Sequence, residues 1–253
     1  MGVALSVVIP AFNEAERIGP TLAAVRAHLE SKSVPAEIIV VDDGSRDGTA
    51  ARAEAALSGF AAARIIRLPR NQGKGAAVKA GVLEARGDLV LFSDADLSTP
   101  ISELEKFLPV IEGGADVVIG SRALPGSDIQ VRQRALREGM GKFFNRLVRL
   151  LVLTGIPDTQ CGFKLFRREA ARAAFEEARI RGFGFDVEIL ALCARRGYRI
   201  KQVPVAWRNS PPSRVRLVRS SLGMISELVR IRRRLGRVRP NAMDAPPTSP
   251  PSR

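Results

Sequence analysis

Cysteine is scarce in this chain of 253 residues: there are two, Cys161 and Cys193, far apart in sequence. That excludes a disulfide framework and a cysteine-based metal cluster, fits a reducing cytoplasm, and leaves both as small buried side chains. Aromatic residues make up 5%, with one Trp and one Tyr, and His28 is the single histidine. His28 shares a helical pattern with Leu22, Val25 and Leu29 and reads as a packing or surface residue. Apolar runs are short, and none approaches the ~18 residues that suggest a spanning helix. The stretch from Met1 to Pro10 lacks a basic start and a small-residue cleavage site, so no signal peptide is expected.

Positive charge, in contrast, is abundant. Forty Lys and Arg stand against 26 Asp and Glu, a net charge of +14. The excess is regional. Six basic residues between Arg132 and Arg149 face one acid, Glu138, and ten between Arg208 and Arg239 face one, Glu227. Phosphates, acidic polymers and anionic membrane surfaces are the partners such charge suits. A basic nucleic-acid-binding protein is the reading from another class, but such proteins more often interleave aromatics with their basic residues. No nucleic acid is expected.

Over residues 4–120, short β-branched runs (Leu5–Ile9, Ile38–Val41, Arg64–Leu68, Leu89–Phe92, Val117–Ile119) alternate with helical stretches near 14–30, 46–57, 74–85 and 101–112. This alternation predicts an α/β fold, a mostly parallel Rossmann-like sheet sandwiched by helices. Beyond residue 120 the pattern predicts long basic helices and one short strand, Ile200–Val205. The tail from Pro240 to Arg253 has five prolines in fourteen residues and reads as disordered.

Ligands of such sheets bind beyond the carboxyl ends of the strands. Four of those loops carry groups suited to a nucleotide diphosphate: Pro10-Ala11-Phe12-Asn13-Glu14, Asp42-Asp43-Gly44-Ser45, Asp94-Ala95-Asp96 and Gly120-Ser121-Arg122. Asp94 and Asp96, two apart, can both turn toward one hard cation such as Mg2+ or Mn2+ that leaves room for phosphate oxygens. Asp43 can accept hydrogen bonds from a base or ribose, and Arg122 can fork onto phosphate. Each loop has a plain alternative: Asp42-Asp43-Gly44-Ser45 is also a good turn and helix cap, and Asp-X-Asp is common in solvated loops. Gly73-Lys74-Gly75 resembles a phosphate-binding turn at a helix start. It lacks both the full G-x-G-x-x-G pattern and the Walker A spacing, so no dinucleotide is expected there.

Taken in order, Val7 to Glu14, Val40 to Ser45, Asn71 to Gly75, Asp94 to Asp96 and Gly120 to Arg122 resemble the family 2 glycosyltransferases of GT-A fold, over about residues 4–236. Within that family, Asp158-Thr159-Gln160-Cys161-Gly162-Phe163-Lys164-Leu165-Phe166 is similar to the dolichyl-phosphate β-glucosyltransferase branch, with the dolichyl-phosphate mannosyltransferases as near relatives. The resemblance implies that Pro10, Phe12, Glu14, Val41 and Asp43 surround the nucleotide. Asp94 and Asp96 would handle the metal and diphosphate, Arg122 would contact donor phosphate, Lys74 would be among the cofactor-binding residues, and Asp158 would have an acceptor-side role as base or as the orienter of a cation. Phe12 stands where the mannosyltransferases carry a tyrosine, and Ser98 where some place a metal-coordinating glutamine. The implied organisation is a catalytic domain over 1–211 with a nucleotide-sugar half (1–122) and an acceptor half (123–211), a basic amphipathic segment over 212–239, and the tail over 240–253.

A phosphate monoester acceptor has a second pKa near ~6 and is anionic at neutral pH, so it needs gathering cations more than a base. Lys164, Arg208 and Arg214 are the candidates, with Asp186 and Glu188 as structural support and Trp207 and Tyr198 as core. Both basic segments are amphipathic at 100° per residue. Leu217, Val218, Leu222, Met224, Ile225, Leu228, Val229, Ile231 and Leu235 cover about half a circumference opposite Arg216, Arg219, Arg230, Arg234 and Arg237, and Arg232 interrupts them. Phe143, Phe144, Leu147, Leu150 and Leu151 share one face, and Lys142, Arg146 and Arg149 another. Such helices either pack on the core or lie on an anionic membrane.

The expected activity is an inverting transfer of a hexose from UDP-glucose to a polyprenyl or dolichyl phosphate by a cytoplasmic protein held peripherally on the membrane. A GDP-mannose-dependent mannosyltransferase and a family member with another acceptor are the alternatives inside the family. A sugar-1-phosphate nucleotidyltransferase would instead want a Gly-rich basic loop after the first strand, where Ala11-Phe12-Asn13-Glu14 supplies an acidic one.

Overall fold

A computed structural model describes residues 4–131, 135–208 and 217–240. Strands β1 (Leu5–Ala11), β2 (Ala36–Asp42), β3 (Ala63–Arg67), β4 (Leu89–Ser93) and β5 (Val117–Ser121) fall on the β-branched runs, and helices α1 (Ala15–Ser31), α2 (Thr49–Ala56), α3 (Lys74–Glu84) and α4 (Leu104–Glu112) fill the intervals. These strands are continuously apolar because helices cover both faces of the sheet. Buried residues of α1, α2 and α4, among them Ile18, Leu22 and Phe107, form the core on one face. Ala77 and Val78 of α3 belong to the core on the other. Gly81 lets α3 lie flat on the sheet, since a Cβ there would run into Val8 and come within 2.9 Å of Val41 Cγ2.

The second half is richer than its sequence pattern predicts. It adds β6 (Asp128–Val131), α5 (Ala135–Leu151), β7 (Phe163–Arg167), α6 (Arg168–Glu177), α7 (Phe185–Arg195), β8 (Ile200–Pro204), β9 (Ala206–Arg208) and α8 (Leu217–Leu235). The seven-stranded sheet has the order β3-β2-β1-β4-β7-β5-β8, and β6 pairs with β9 apart from it. All pairings in the large sheet are parallel except those of β7, which runs antiparallel to β4 and β5. A lysine in the middle of Phe163-Lys164-Leu165-Phe166 disguises β7 as a half-polar segment. In the fold Lys164 is buried as an ion pair with Asp186, so the strand is as apolar in effect as its neighbours.

The basic helices are core-packed along part of their apolar stripes. Phe144 and Val148 of α5 and Leu228, Ile231 and Leu235 of α8 join the same core as α3. Phe143 (60% exposed) and Leu150 (57%) on α5 and Ile225 (38%) and Val229 (39%) on α8 stay at the surface. The single apolar face expected of each helix is therefore split. Asn209 to Arg216, which include the expected 211/212 boundary and Arg214, lie outside the described residues, as does the tail beyond Pro240.

Candidate active site

β1, β2, β4 and β5 end along one edge of the sheet, and β7, running the other way, begins there. Phe163 pairs with Ser93 and Lys164 with Ile119. Residues 158–163 consequently enter between the Asp94 loop and the Arg122 loop, which no reading of strands in sequence order would place together.

The first two loops are sewn to each other. The Asn13 amide donates to Ser45 Oγ (2.9 Å), the Arg46 amide to Asn13 Oδ1 (2.9 Å), the Glu14 amide to Thr49 Oγ1 (2.8 Å) and the Ala15 amide to Asp47 Oδ2 (3.2 Å). Asn13 holds a left-handed φ of 54°, which asparagine tolerates better than most residues. The Glu14 carboxylate is forked by Arg17, with Nε and Nη2 each 2.6 Å from an oxygen. The Phe12 ring is exposed beside this loop. Pro10 and Val41, expected around a nucleotide, are buried within β1 and β2, and Val41 packs under α3.

Asp43 is also buried, and its two oxygens accept the amides of Gln72 (2.7 Å) and Gly73 (2.9 Å). Burial raises its carboxyl pKa above the usual value, with those amides opposing. Its place is therefore to hold the Asn71-Gln72-Gly73 loop, a role between the capping and ligand readings of its sequence. That loop delivers Lys74, whose Nζ lies 2.7 Å from Asp94 Oδ1. Burial disfavours the Lys74 charge, but Asp94, Asp186 and Asp96 outweigh it and hold the pKa above the ordinary lysine value.

Asp94 is seated on Gly162. Its amide donates to the Gly162 carbonyl (3.0 Å), and any Cβ on Gly162 would overlap the Asp94 carboxylate. Asp96 Oδ1 accepts the Ser98 amide (2.9 Å), and its Oδ2 lies 3.9 Å from Arg17 Nη1. The two aspartates offer the hard oxygen donors that suit Mg2+ or Mn2+. Among the described residues no third His, Cys, Asp or Glu joins them, so phosphate oxygens and water would have to complete the shell of such an ion.

On the other side, Asp158 is buried and forked by Arg122, with Nε–Oδ2 at 2.7 Å and Nη2–Oδ1 at 2.8 Å, and it also accepts the amides of Arg122 (2.9 Å) and Gln160 (3.2 Å). Burial would raise its pKa, but the guanidinium charge and these hydrogen bonds hold it below the ordinary carboxylate range. Such a carboxylate is a weak base and a strong orienter. Trp207, buried as expected, places its ring 5.5 Å from the Arg122 guanidinium.

The three acceptor-side cations do not assemble among the described residues. Lys164 is 2% exposed, ion-paired to Asp186 and donating to the Cys161 carbonyl (2.6 Å), so it is a buried scaffold residue and not a surface phosphate ligand. Arg208 is exposed, with Nη2 2.9 Å from Gln130 Oε1 on β6, and Arg214 lies outside the described residues. Glu188 accepts the amides of Arg179 and Ile180 and pairs with Arg234. His28 sits 3.3 Å from Glu105. Burial pushes the Cys161 thiol up to about 11 and that of Cys193 to about 12, so neither is a thiolate nucleophile. Sequence reasoning singled out neither Arg17, whose signal was its place three residues after Glu14, nor the contact of Gly162 with Asp94, whose signal was a glycine between Cys161 and Phe163.

The glycosyl transferase family 2 pattern matches residues 6–175. The chain is 39% identical over 236 residues to a dolichyl-phosphate beta-glucosyltransferase of Trichomonas vaginalis, covering 88% of this chain and 69% of that protein. To the human dolichyl-phosphate beta-glucosyltransferase it is 34% identical over 247 residues, 91% of this chain and 75% of that one. In three dimensions it resembles glucosyl-3-phosphoglycerate synthase from Mycobacterium tuberculosis in complex with Mn2+, UDP-glucose and phosphoglyceric acid, with a TM-score of 0.65 and 25% identity over 91% of this chain and 80% of that one. Matched along most of its length by that pattern and by these relatives, this chain belongs to the family 2 glycosyltransferases and is a hexosyltransferase of GT-A fold.

Proposed function

We propose that the chain moves glucose from UDP-glucose to dolichyl phosphate or another polyprenyl phosphate, with inversion, at an anionic membrane surface. The observation that carries this reading is the strand-end edge holding Asp94 and Asp96 with Lys74, Arg17 and Arg122, in a chain 39% identical to a protein named as a dolichyl-phosphate beta-glucosyltransferase. The structurally similar synthase complex with Mn2+ and UDP-glucose supports the donor and the ion.

In the proposed step an oxygen of the acceptor phosphate attacks the anomeric carbon. The new C–O bond forms as the bond from that carbon to the β-phosphate breaks, and UDP leaves with the electron pair. The acceptor is already ionised, so Asp158 is not required as a base. Asp158 sets the plane of Arg122 for a donor phosphate, and Lys74 adds a second cation at Asp94. A divalent ion held by Asp94 and Asp96 would supply Lewis-acid neutralisation of the departing diphosphate.

No described helix is long and apolar enough to cross a membrane. Support for a lipid surface comes from α5 and α8, which pack on each other. Each leaves an apolar pair exposed on a basic helix, and Lys or Arg near anionic lipid contributes about 1 kcal/mol each. Incubation with a panel of radiolabelled nucleotide-sugars and a polyprenyl phosphate, followed by organic extraction, tests the donor. Label is expected in the lipid phase from UDP-glucose, and label from GDP-mannose alone would reassign the sugar.

A further inference from the structure

Helix α8 has one acidic residue, Glu227, among its basic ones. Its Oε2 accepts the amide of Gly184 at 2.8 Å. A Cβ on Gly182 would collide with Glu227 Oε1, and one on Gly184 would lie 2.8 Å from Oε2, so these two glycines leave the space that the carboxylate fills. Arg234, two turns on, grips the same region through Glu188 Oε1 (2.6 Å), while Glu188 Oε2 accepts the amides of Arg179 and Ile180.

The opposite side of this turn rests on the start of α3. The Ala76 amide donates to the Arg181 carbonyl (3.2 Å), and a Cβ on Gly73 would collide with that same carbonyl. One on Gly75 would lie 2.6 Å from the Ile180 carbonyl. Phe185, next along, packs edge-on against Phe92, whose ring lies 5.4 Å from Lys74 Nζ. The backbone over 180–184 is thus clasped between Glu227 and the first turn of α3, and that turn carries the Lys74 that pairs with Asp94.

We infer that Glu227 is a positioning residue of the donor site: it holds the 180–184 turn against the start of α3 and so fixes Lys74 beside Asp94. The inference rests on the nucleotide-sugar reading above. It also ties α8, a helix proposed to meet the membrane, to the geometry of the phosphate site.

The test is UDP binding in the presence of Mn2+, measured by calorimetry on the full chain, together with the acceptor KM and Tm. Glu227→Ala should weaken UDP binding about tenfold with the acceptor KM unchanged. Glu227→Gln, whose amide oxygen can still accept the Gly184 N–H, should recover most of the affinity. If Glu227→Ala fails to fold, Glu227→Asp, one methylene too short to reach, takes its place and should be weaker than Glu227→Gln. Equal UDP affinity for the wild type and the Ala or Asp variant overturns the positioning role. Absence of UDP binding by the wild type overturns the donor-site reading itself.

Discussion

Asp158 and Arg122 bind each other through two parallel hydrogen bonds, and the pair has consequences for both stability and rate. A carboxyl whose folded pKa is depressed adds stability above its unfolded value of about 3.9, and that stability is lost as the pH falls from there toward the folded value. Asp158→Asn should therefore lower Tm at neutral pH and flatten the fall of Tm below about pH 4. An acid limb identical to that of the wild type would count against the pairing. In kinetics the same variant should lower kcat/KM for the donor while keeping the shape of the pH–rate profile, whereas loss of the acid limb of that profile would make Asp158 a base. Gly162→Ala forces a Cβ onto the Asp94 carboxylate and should weaken Mn2+-dependent UDP binding; undiminished binding would show that the cradle is dispensable. Asp94, Asp96 and Arg122 could be singled out in the sequence by the order of several strand-end loops taken together, since each loop alone also fits a plain turn or solvated loop. The pairing of Arg122 with Asp158, 36 residues away, could not, since it depends on which strand lies between β4 and β5.

Helix α8 shows what an amphipathic pattern leaves open. Periodicity finds the helix over 217–235, but it weighs burial against protein and burial against lipid alike. The fold divides the stripe: Leu228 and Ile231 enter the core, and Ile225 and Val229 do not. Leu228→Ala should consequently cost about 2–5 kcal/mol of stability, read by denaturant unfolding. Ile225→Ser with Val229→Ser should leave stability within about 0.5 kcal/mol of the wild type, as surface changes do. The double variant should nevertheless sediment less with anionic vesicles, and equal sedimentation would return α8 to a purely structural role. Strand β7 was hidden for a related reason. Lys164 looks solvent-seeking until its partner Asp186, 22 residues later, is brought to it.

Across the whole molecule, the first half was legible almost element by element, because a parallel sheet covered on both faces writes its strands as uninterrupted apolar runs. The second half depends on pairings between distant segments, and it carries the excess charge of the chain, part of it on α5 and α8 and the rest in the segments flanking them. That charge predicts vesicle association that weakens as salt shortens the Debye length from about 30 Å at 0.01 M to about 8 Å at 0.15 M. The most direct test of the central claim is the initial rate at which radiolabelled glucose passes from UDP-glucose to a polyprenyl phosphate, compared among the wild type, the wild type in excess EDTA, and Asp94→Asn. The account predicts label in the lipid phase for the wild type with Mg2+ or Mn2+ and its loss in both other arms. Full transfer in EDTA, or by Asp94→Asn, would contradict it.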